Sequence, residues 1–165
     1  MLDNFPELTM VNVDLQEINI PCLILAVKKN RKGHIKELHK KICSGVPGLQ
    51  AVKMILYVEH KVNPHDLTVA LWRFCNNLDP KRDHFLFESE DAQGKITACL
   101  GLDGTRKTKA FDGFERDWPN IIVADEKTIA NVDAKWHKLG LGAFIPSPSL
   151  RYKSQMYGEE AVVEE

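Results

Sequence analysis

The residues with the clearest chemical potential form a polar, glycine-containing segment at residues 101–109. Within it, Thr105, Arg106 and Lys107 are consecutive, and hydroxyl, guanidinium and ammonium groups of this kind bind phosphate. The segment lacks the G-x-x-x-x-G-K-[ST] spacing, and we expect it not to lie between a strand and a helix start, as a phosphate loop does. Thr105, Arg106 and Lys107 are therefore candidate phosphate contacts, or groups close to a substrate, without a recognised loop motif.

Two histidines, His60 and His65, stand five residues apart in a predicted loop. A metal site there would need further ligands, for which Glu59 and Asp66 are the nearest. Catalytic zinc ligands are held rigidly, with an open coordination position. Loop histidines beside Lys61 are more often solvated polar groups, and we favour that interpretation.

A basic run, residues 28–41, contains seven Lys or Arg residues together with His34 and His39. A phosphate-binding or RNA-binding patch would have this charge, but the run has no aromatic residue to stack on a base. The whole chain has a formal net charge of −1. We therefore interpret the run as a solvated helix face and expect no nucleic-acid partner.

No local motif for nucleophilic catalysis or dinucleotide binding is present, since G-x-S-x-G and G-x-G-x-x-G are both absent. The four cysteines form no C-x-x-C pair and no zinc spacing. All but Cys99 lie in apolar patterns, which predicts buried thiols in a reducing compartment. We assign no catalytic, cofactor-binding or metal residue. No stretch has the roughly 18 apolar residues of a membrane span, so we expect a cytoplasmic protein.

These residues lie among alternating strands and helices. Continuous apolar runs predict buried strands, and spacings of three and four predict helices. A stripe of Leu67, Ala70, Leu71, Phe74, Cys75 and Leu78 predicts the core-facing side of one helix, on which Trp72 also looks structural. The predicted strands are 21–27, 52–58 and 84–87; the predicted helices are 32–43, 66–78 and 125–139, the last with Trp136 on its core stripe.

This order predicts a three-layer α/β/α sandwich with a largely parallel or mixed sheet. Residues 88–99 are polar and predict a loop or loose hairpin. We expect a single domain over residues 1–142, followed by an extended Pro/Ser-containing arm and acidic tail over 143–165. Pro146 and Pro148 argue against helix or central strand in that arm.

A series of short motifs runs in a fixed order along the chain. The strand ends Tyr-Val-Glu-His at 57–60, the loop reads Val-Asn-Pro-His-Asp at 62–66, and Asn-Leu-Asp-Pro-Lys-Arg-Asp follows at 77–83. This arrangement resembles the C-terminal domain of the UbiD-type decarboxylases, the polyprenyl-hydroxybenzoate carboxy-lyase family. Four further segments are similar in the same order: 33–36, 101–107, 115–118 and 132–136. The loop at 88–99 is shorter than is usual in the family and lacks a Ser-Pro found in many members.

The resemblance implies the non-oxidative decarboxylation of aromatic or α,β-unsaturated carboxylic acids. It also implies prenylated FMN with a divalent metal and potassium in the complete enzyme. The family's flavin and metal ligands, catalytic arginine and two glutamates belong to segments that precede those matched here, so none is assigned to this chain. The implied partner is the flavin-binding N-terminal portion, in a homo-oligomer, whether in one longer chain or as a separate subunit.

Two other interpretations remain open. One is a freestanding α/β module that binds a phosphorylated small molecule through Thr105, Arg106 and Lys107. The other is a pure assembly domain that uses the C-terminal arm. Titration with phosphates distinguishes the binding module from the other interpretations. A molecular mass that depends on protein concentration distinguishes the assembly domain.

Overall fold

The computed structural model describes residues 2–90, 93–115, 118 and 120–157 of the chain. The polypeptide divides into two compact units, residues 1–116 and 117–165. The predicted boundary after residue 142 differs from this division and stays a prediction. No helix in the described part of the chain is long and apolar enough to cross a membrane.

The first unit is built on a five-stranded mixed sheet in the order β1-β2-β3-β5-β4. The central strands β2, β3 and β5 are parallel to one another, and β1 and β4 are antiparallel edges. The strands are β1 (Leu8–Asn12), β2 (Cys22–Val27), β3 (Met54–Glu59), β4 (His84–Glu90) and β5 (Ile96–Asp103). The helices are α1 (Asp14–Glu17), α2 (His34–Gly45), α3 (Leu67–Asn77) and α4 (Lys109–Asp112).

The central strands are buried because helices cover the sheet on both faces. Side chains alternate along a strand, and Leu23, Leu25 and Tyr57 form one core cluster with Ile35 and Leu38 of α2. The intervening residues of β2 and β3 are also buried but lie outside that cluster, and α3 contacts β3. The predicted α/β sandwich with a mixed sheet is confirmed.

Residues 88–99, predicted as a loop or loose hairpin, belong to a regular hairpin formed by β4 and β5. Along β4, half-buried and exposed side chains alternate, and Glu88 and Glu90 lie on its exposed side. An edge strand with one solvated face has a polar sequence, which explains why the continuous apolar criterion assigned only residues 84–87 to a strand. β5 runs on to Asp103, so the segment that follows it lies between a strand and α4, contrary to the prediction.

Helix α3 turns a different face to the interior from the one its apolar stripe predicts. Leu67, Leu71 and Cys75 are exposed, and Trp72 is 44% exposed. The buried residues are Val69, Ala70, Arg73, Phe74 and Asn77. A buried ion pair at Arg73, described below, rotates the helix away from the orientation that burial of all its leucines would give.

The basic run also differs from a fully solvated face. His34 and His39 are buried inside the first unit. The Lys29 ammonium lies 2.7 Å from the Asp112 carboxylate and is largely buried. Arg31 pairs with Glu37 at the surface.

The second unit contains helix α5 (Glu126–Asp133), whose N-cap Asp125 accepts a hydrogen bond from the Thr128 amide at 2.8 Å. The helix ends before the predicted residue 139, and a 3₁₀ turn follows at Trp136–Lys138. Trp136 is half-buried, and its ring packs edge-on against Phe144 at 5.8 Å between centroids. Residues Pro148–Gln155 form 3₁₀ turns, contrary to the prediction for the arm, because proline is tolerated at the first helical position.

Candidate functional site

The parallel strands β3 and β5 end at the same edge of the sheet, where polar residues meet. Glu59 is the last residue of β3 and Asp103 the last of β5. The chain then passes through residues 104–108 towards α4. In open α/β sheets, this carboxyl edge is where ligands bind.

Glu59 lies at the centre of this edge and is 4% exposed. Its Oε1 accepts hydrogen bonds from the Arg73 guanidinium, one of them from Nε at 2.9 Å. Its Oε2 accepts from Asn77 Nδ2 at 3.2 Å and from the Arg106 backbone amide at 3.1 Å. Both carboxylate oxygens are therefore engaged within the protein, as a buried charge requires.

Lys107, 1% exposed, is engaged in the same way. Its Nζ lies 2.7 Å from the Asp103 carbonyl oxygen, 3.2 Å from Asp103 Oδ1 and 3.3 Å from Asp83 Oδ1. An ammonium group has three donors, and this geometry supplies three acceptors. The ammonium thus neutralises two carboxylates of its own chain.

The neighbouring residues complete the network. The Thr105 hydroxyl and backbone amide donate to Asp103 Oδ1. The Arg106 carbonyl accepts a hydrogen bond from Lys29 Nζ at 2.9 Å. The structure therefore brings the three candidates Thr105, Arg106 and Lys107 together at the carboxyl edge and buries all three. Their role as phosphate or substrate contacts stays a prediction.

This edge does not fit a flavin phosphate. The buried cations Arg73 and Lys107 already face carboxylates of the same chain, and an anion would have to displace them. The backbone also approaches closely, because a Cβ at Gly104 would lie 2.3 Å from Phe74 Cδ2. The charged groups of this edge are therefore already bonded within the chain, which leaves none of these cations to bind a flavin phosphate.

His60 and His65 have separate environments. His65 is exposed, and its Nδ1 lies 3.0 Å from Asp14 Oδ2. His60 is half-buried, and burial lowers its pKa. Neither belongs to the metal-capable group that the described residues contain.

That group consists of His39, Cys43 and Cys99, whose ligand atoms all lie within 4.8 Å of one another. His39 and Cys43 are one turn apart on α2, and Cys99 belongs to β5. The sequence did not indicate this group, because Cys99 lies at the end of the segment predicted as a loop or loose hairpin, and the structure places it within β5. The i, i+4 spacing of His39 and Cys43 is the signal that was available.

Comparison with known proteins gives the family of the first unit. The model of the 3-octaprenyl-4-hydroxybenzoate carboxy-lyase C-terminal domain matches residues 1–97. The chain belongs to this family. The UbiD-type resemblance inferred from the motifs is thereby confirmed, although the match ends before the similar segments at 101–107, 115–118 and 132–136.

A sequence relative is an uncharacterized protein of Archaeoglobus fulgidus, 28% identical over an alignment 149 residues long; the match covers 81% of this chain and 31% of the relative. The chain therefore spans about a third of that relative's length.

Among solved structures, the fold is similar to that of the closed form of vanillic acid decarboxylase from Sedimentibacter hydroxybenzoicus, with a TM-score of 0.59 and 16% identity, covering 84% of this chain and 30% of that one. It is also similar to an evolved dimeric form of the UbiD-class enzyme HmfF from Pelotomaculum thermopropionicum in complex with prFMN. There the TM-score is 0.52 and the identity 17%, over 87% of this chain and 27% of that one. A third similar structure is 3,4-dihydroxybenzoic acid decarboxylase (AroY) from Klebsiella pneumoniae, with a TM-score of 0.51 and 17% identity, over 86% and 30% of the two chains. At these identities the likeness shows the fold alone.

Proposed function

We propose that this chain is the C-terminal part of a UbiD-type, prenylated-FMN-dependent decarboxylase of aromatic or α,β-unsaturated carboxylic acids. In this proposal it forms a wall of the active-site cleft and supports oligomerisation, while other segments carry the catalytic residues and bind the flavin, divalent metal and potassium. The observation that carries the proposal is membership of the carboxy-lyase C-terminal domain family. The solved relatives, of which the chain covers about 30%, include two decarboxylases and a prFMN complex.

The exposed face of α3 supports the part of this proposal in which the chain packs against a flavin-binding portion. Leu67, Leu71 and Trp72 are each at least 38% exposed on one helix, whereas an isolated surface helix normally turns such residues inward. We define these three residues as the α3 apolar face. An apolar face beside a rigid, internally bonded edge is suited to pack against the flavin-binding portion and to exclude water from the cleft.

An assembly role is supported separately by the second unit. Among the residues of this unit that the structure describes, the exposed large apolar ones are Ile122, Val132, Leu139, Leu141, Phe144, Ile145 and Leu150. Soluble proteins rarely leave so many large apolar residues exposed on a small unit unless a partner covers them. Self-association through this unit is consistent with an oligomeric decarboxylase, and it is equally consistent with a pure assembly domain.

Native mass spectrometry combined with a visible absorption spectrum tests the proposal on the protein recovered from its own cells. We expect this polypeptide within a longer chain or a complex that carries a flavin-sized ligand and releases CO₂ from an aromatic or unsaturated acid. Recovery as a bare, colourless 165-residue species would contradict the proposal. Binding of inorganic phosphate that is lost on Lys107→Met would then favour the freestanding phosphate-binding module.

A further inference from the structure

The cluster of His39, Cys43 and Cys99 lies inside the first unit, between α2 and β5. Cys99 is buried and Cys43 is half-buried. The Cys43 sulfur lies 3.6 Å from His39 Nε2. In a tetrahedral site with zinc–sulfur and zinc–nitrogen bonds of about 2.3 and 2.0 Å, the two ligand atoms are separated by about 3.5 Å. The cluster therefore has the spacing of a zinc-binding half-site before any ion enters.

We propose that His39, Cys43 and Cys99 form a structural Zn²⁺ site that ties α2 to β5. Imidazole and thiolate are the ligands this ion prefers. Two thiolates balance the charge of one divalent ion, so the buried complex is neutral and avoids the cost of an uncompensated charge. On binding, two metal–sulfur bonds and one metal–nitrogen bond form, and the two thiol protons pass to solvent.

Tyr57 supplies the partner that a ligating histidine normally has. Its hydroxyl oxygen lies 2.9 Å from His39 Nδ1. If Nδ1–H donates a hydrogen bond to that oxygen, Nε2 carries the lone pair that binds the ion. Hydrogen bonds outside the coordination shell fix the histidine tautomer in this way in known metal sites. In the other tautomer, Nε2–H donates to the Cys99 carbonyl at 3.2 Å. The ion thus takes the place of one proton in an existing hydrogen-bond network.

Access for the ion and for a fourth ligand is provided by a small surface depression. Its lining includes Cys43 and Cys99 together with Gln50, Ser89 and Thr97. A water molecule entering there would complete tetrahedral coordination.

The direct test is metal titration of the reduced 165-residue chain after chelator treatment, first with Co²⁺ as a spectroscopic probe and then with Zn²⁺ in competition. We expect one ion per chain, a thiolate-to-Co²⁺ charge-transfer band, and one zinc ion in the native mass spectrum. Cys43→Ala, at the half-buried position, should weaken binding at least tenfold and remove the band. The matched control is Cys75→Ala on α3, whose thiol is exposed; it should leave both unchanged.

If Cys43→Ala disturbs folding, a second variant and the melting temperature still test the proposal. Cys99→Ser should likewise lose the band, and the Zn²⁺-dependent rise in melting temperature should vanish in both variants. Three outcomes would overturn the proposal: no stoichiometric binding, equal affinity in Cys43→Ala and the parent chain, or a disulfide that forms between Cys43 and Cys99 in place of metal uptake.

Discussion

Glu59 at the end of β3 and Arg73 of α3 form a buried ion pair, with side chains 5% and 8% exposed. The pair holds Arg73 on the inward face of α3, whereas the two leucines of the helix, Leu67 and Leu71, are exposed. Asn77 and the Arg106 amide also donate hydrogen bonds to the carboxylate. The helix therefore buries a charged residue and leaves the α3 apolar face exposed.

Substitution Glu59→Gln is expected to destabilise the first unit strongly. It leaves the Arg73 guanidinium buried without its counter-charge, and breaking such a pair costs about 3–5 kcal/mol. Urea unfolding followed by circular dichroism measures the change. The matched control is Glu37→Gln, which removes a surface partner of Arg31 and should leave the free energy of unfolding almost unchanged, because exposed ion pairs contribute little. Equal effects of the two substitutions would contradict the role given to the buried pair.

Gly104 is expected to resist replacement because α3 lies directly against it. An added Cβ would lie 2.3 Å from Phe74 Cδ2 and 2.9 Å from Phe74 Cα, so the helix backbone itself would have to move. We expect Gly104→Ala to cost about 1–3 kcal/mol or more in the free energy of unfolding. Gly45→Ala in α2, where an added Cβ meets no atom within 4 Å, should be neutral or stabilising by up to about 1 kcal/mol. A thermal melt of both variants checks the contrast.

Asp83 is expected to contribute to the acid sensitivity of the fold. Burial raises the pKa of this carboxyl group, but hydrogen bonds from Arg82 and the Asp79 amide, together with the Lys107 ammonium, bring it below its usual 3.8. The unfolded state then binds more protons in the window below that value, so stability rises with pH there. The contribution is complete above the unfolded pKa of about 3.9 and is lost as pH falls through the folded pKa.

The corresponding measurement compares the parent chain with Asp83→Asn in urea unfolding between about pH 6 and pH 3. We expect the parent to be the more stable at the upper end and the gap to narrow towards the lower end. A gap that stays constant over the whole range would show that Asp83 does not carry this dependence.

The fold was largely readable from sequence, whereas the candidate sites were not. Continuous apolar runs predicted β2 and β3, because burial on both faces leaves a strong local signal, and the predicted bounds of α2 and α3 lie within two residues of the observed ones. The edge hairpin was predicted only as a loop or loose hairpin beyond residue 87, since the exposed side of β4 carries Glu88 and Glu90. The inward Arg73 was missed because a helical stripe assigns charged residues to solvent. Cys43 and Cys99 come together because α2 packs against β5, a long-range contact that local spacing does not encode.

The α3 apolar face gives a test of the proposed docking. The double variant Leu71→Ser with Trp72→Ser changes exposed side chains, so the free energy of unfolding should change by only about 0.5 kcal/mol for each substitution. Binding to the flavin-binding portion, measured by co-purification and by flavin content, should fall at least tenfold. The control Asn76→Ala, also exposed on α3, should retain full flavin content. Normal assembly of the double variant would contradict docking through this face.

The second unit is expected to carry self-association. Deleting residues 143–165 removes Phe144, Ile145 and Leu150, which are 53%, 57% and 41% exposed, and should reduce the mass of any oligomer measured by light scattering across a range of protein concentrations. Since the deletion also removes the ring that packs on Trp136, a point variant separates association from folding. Ile145→Ser keeps that ring contact and should weaken association on its own, because the exposed apolar area is the attractive surface. The exposed charge pair of Lys153 with Glu126 offers the control Lys153→Gln, which should leave the mass unchanged. If the deletion and Ile145→Ser both leave the mass and its concentration dependence as they were, this surface does not hold copies of the chain together.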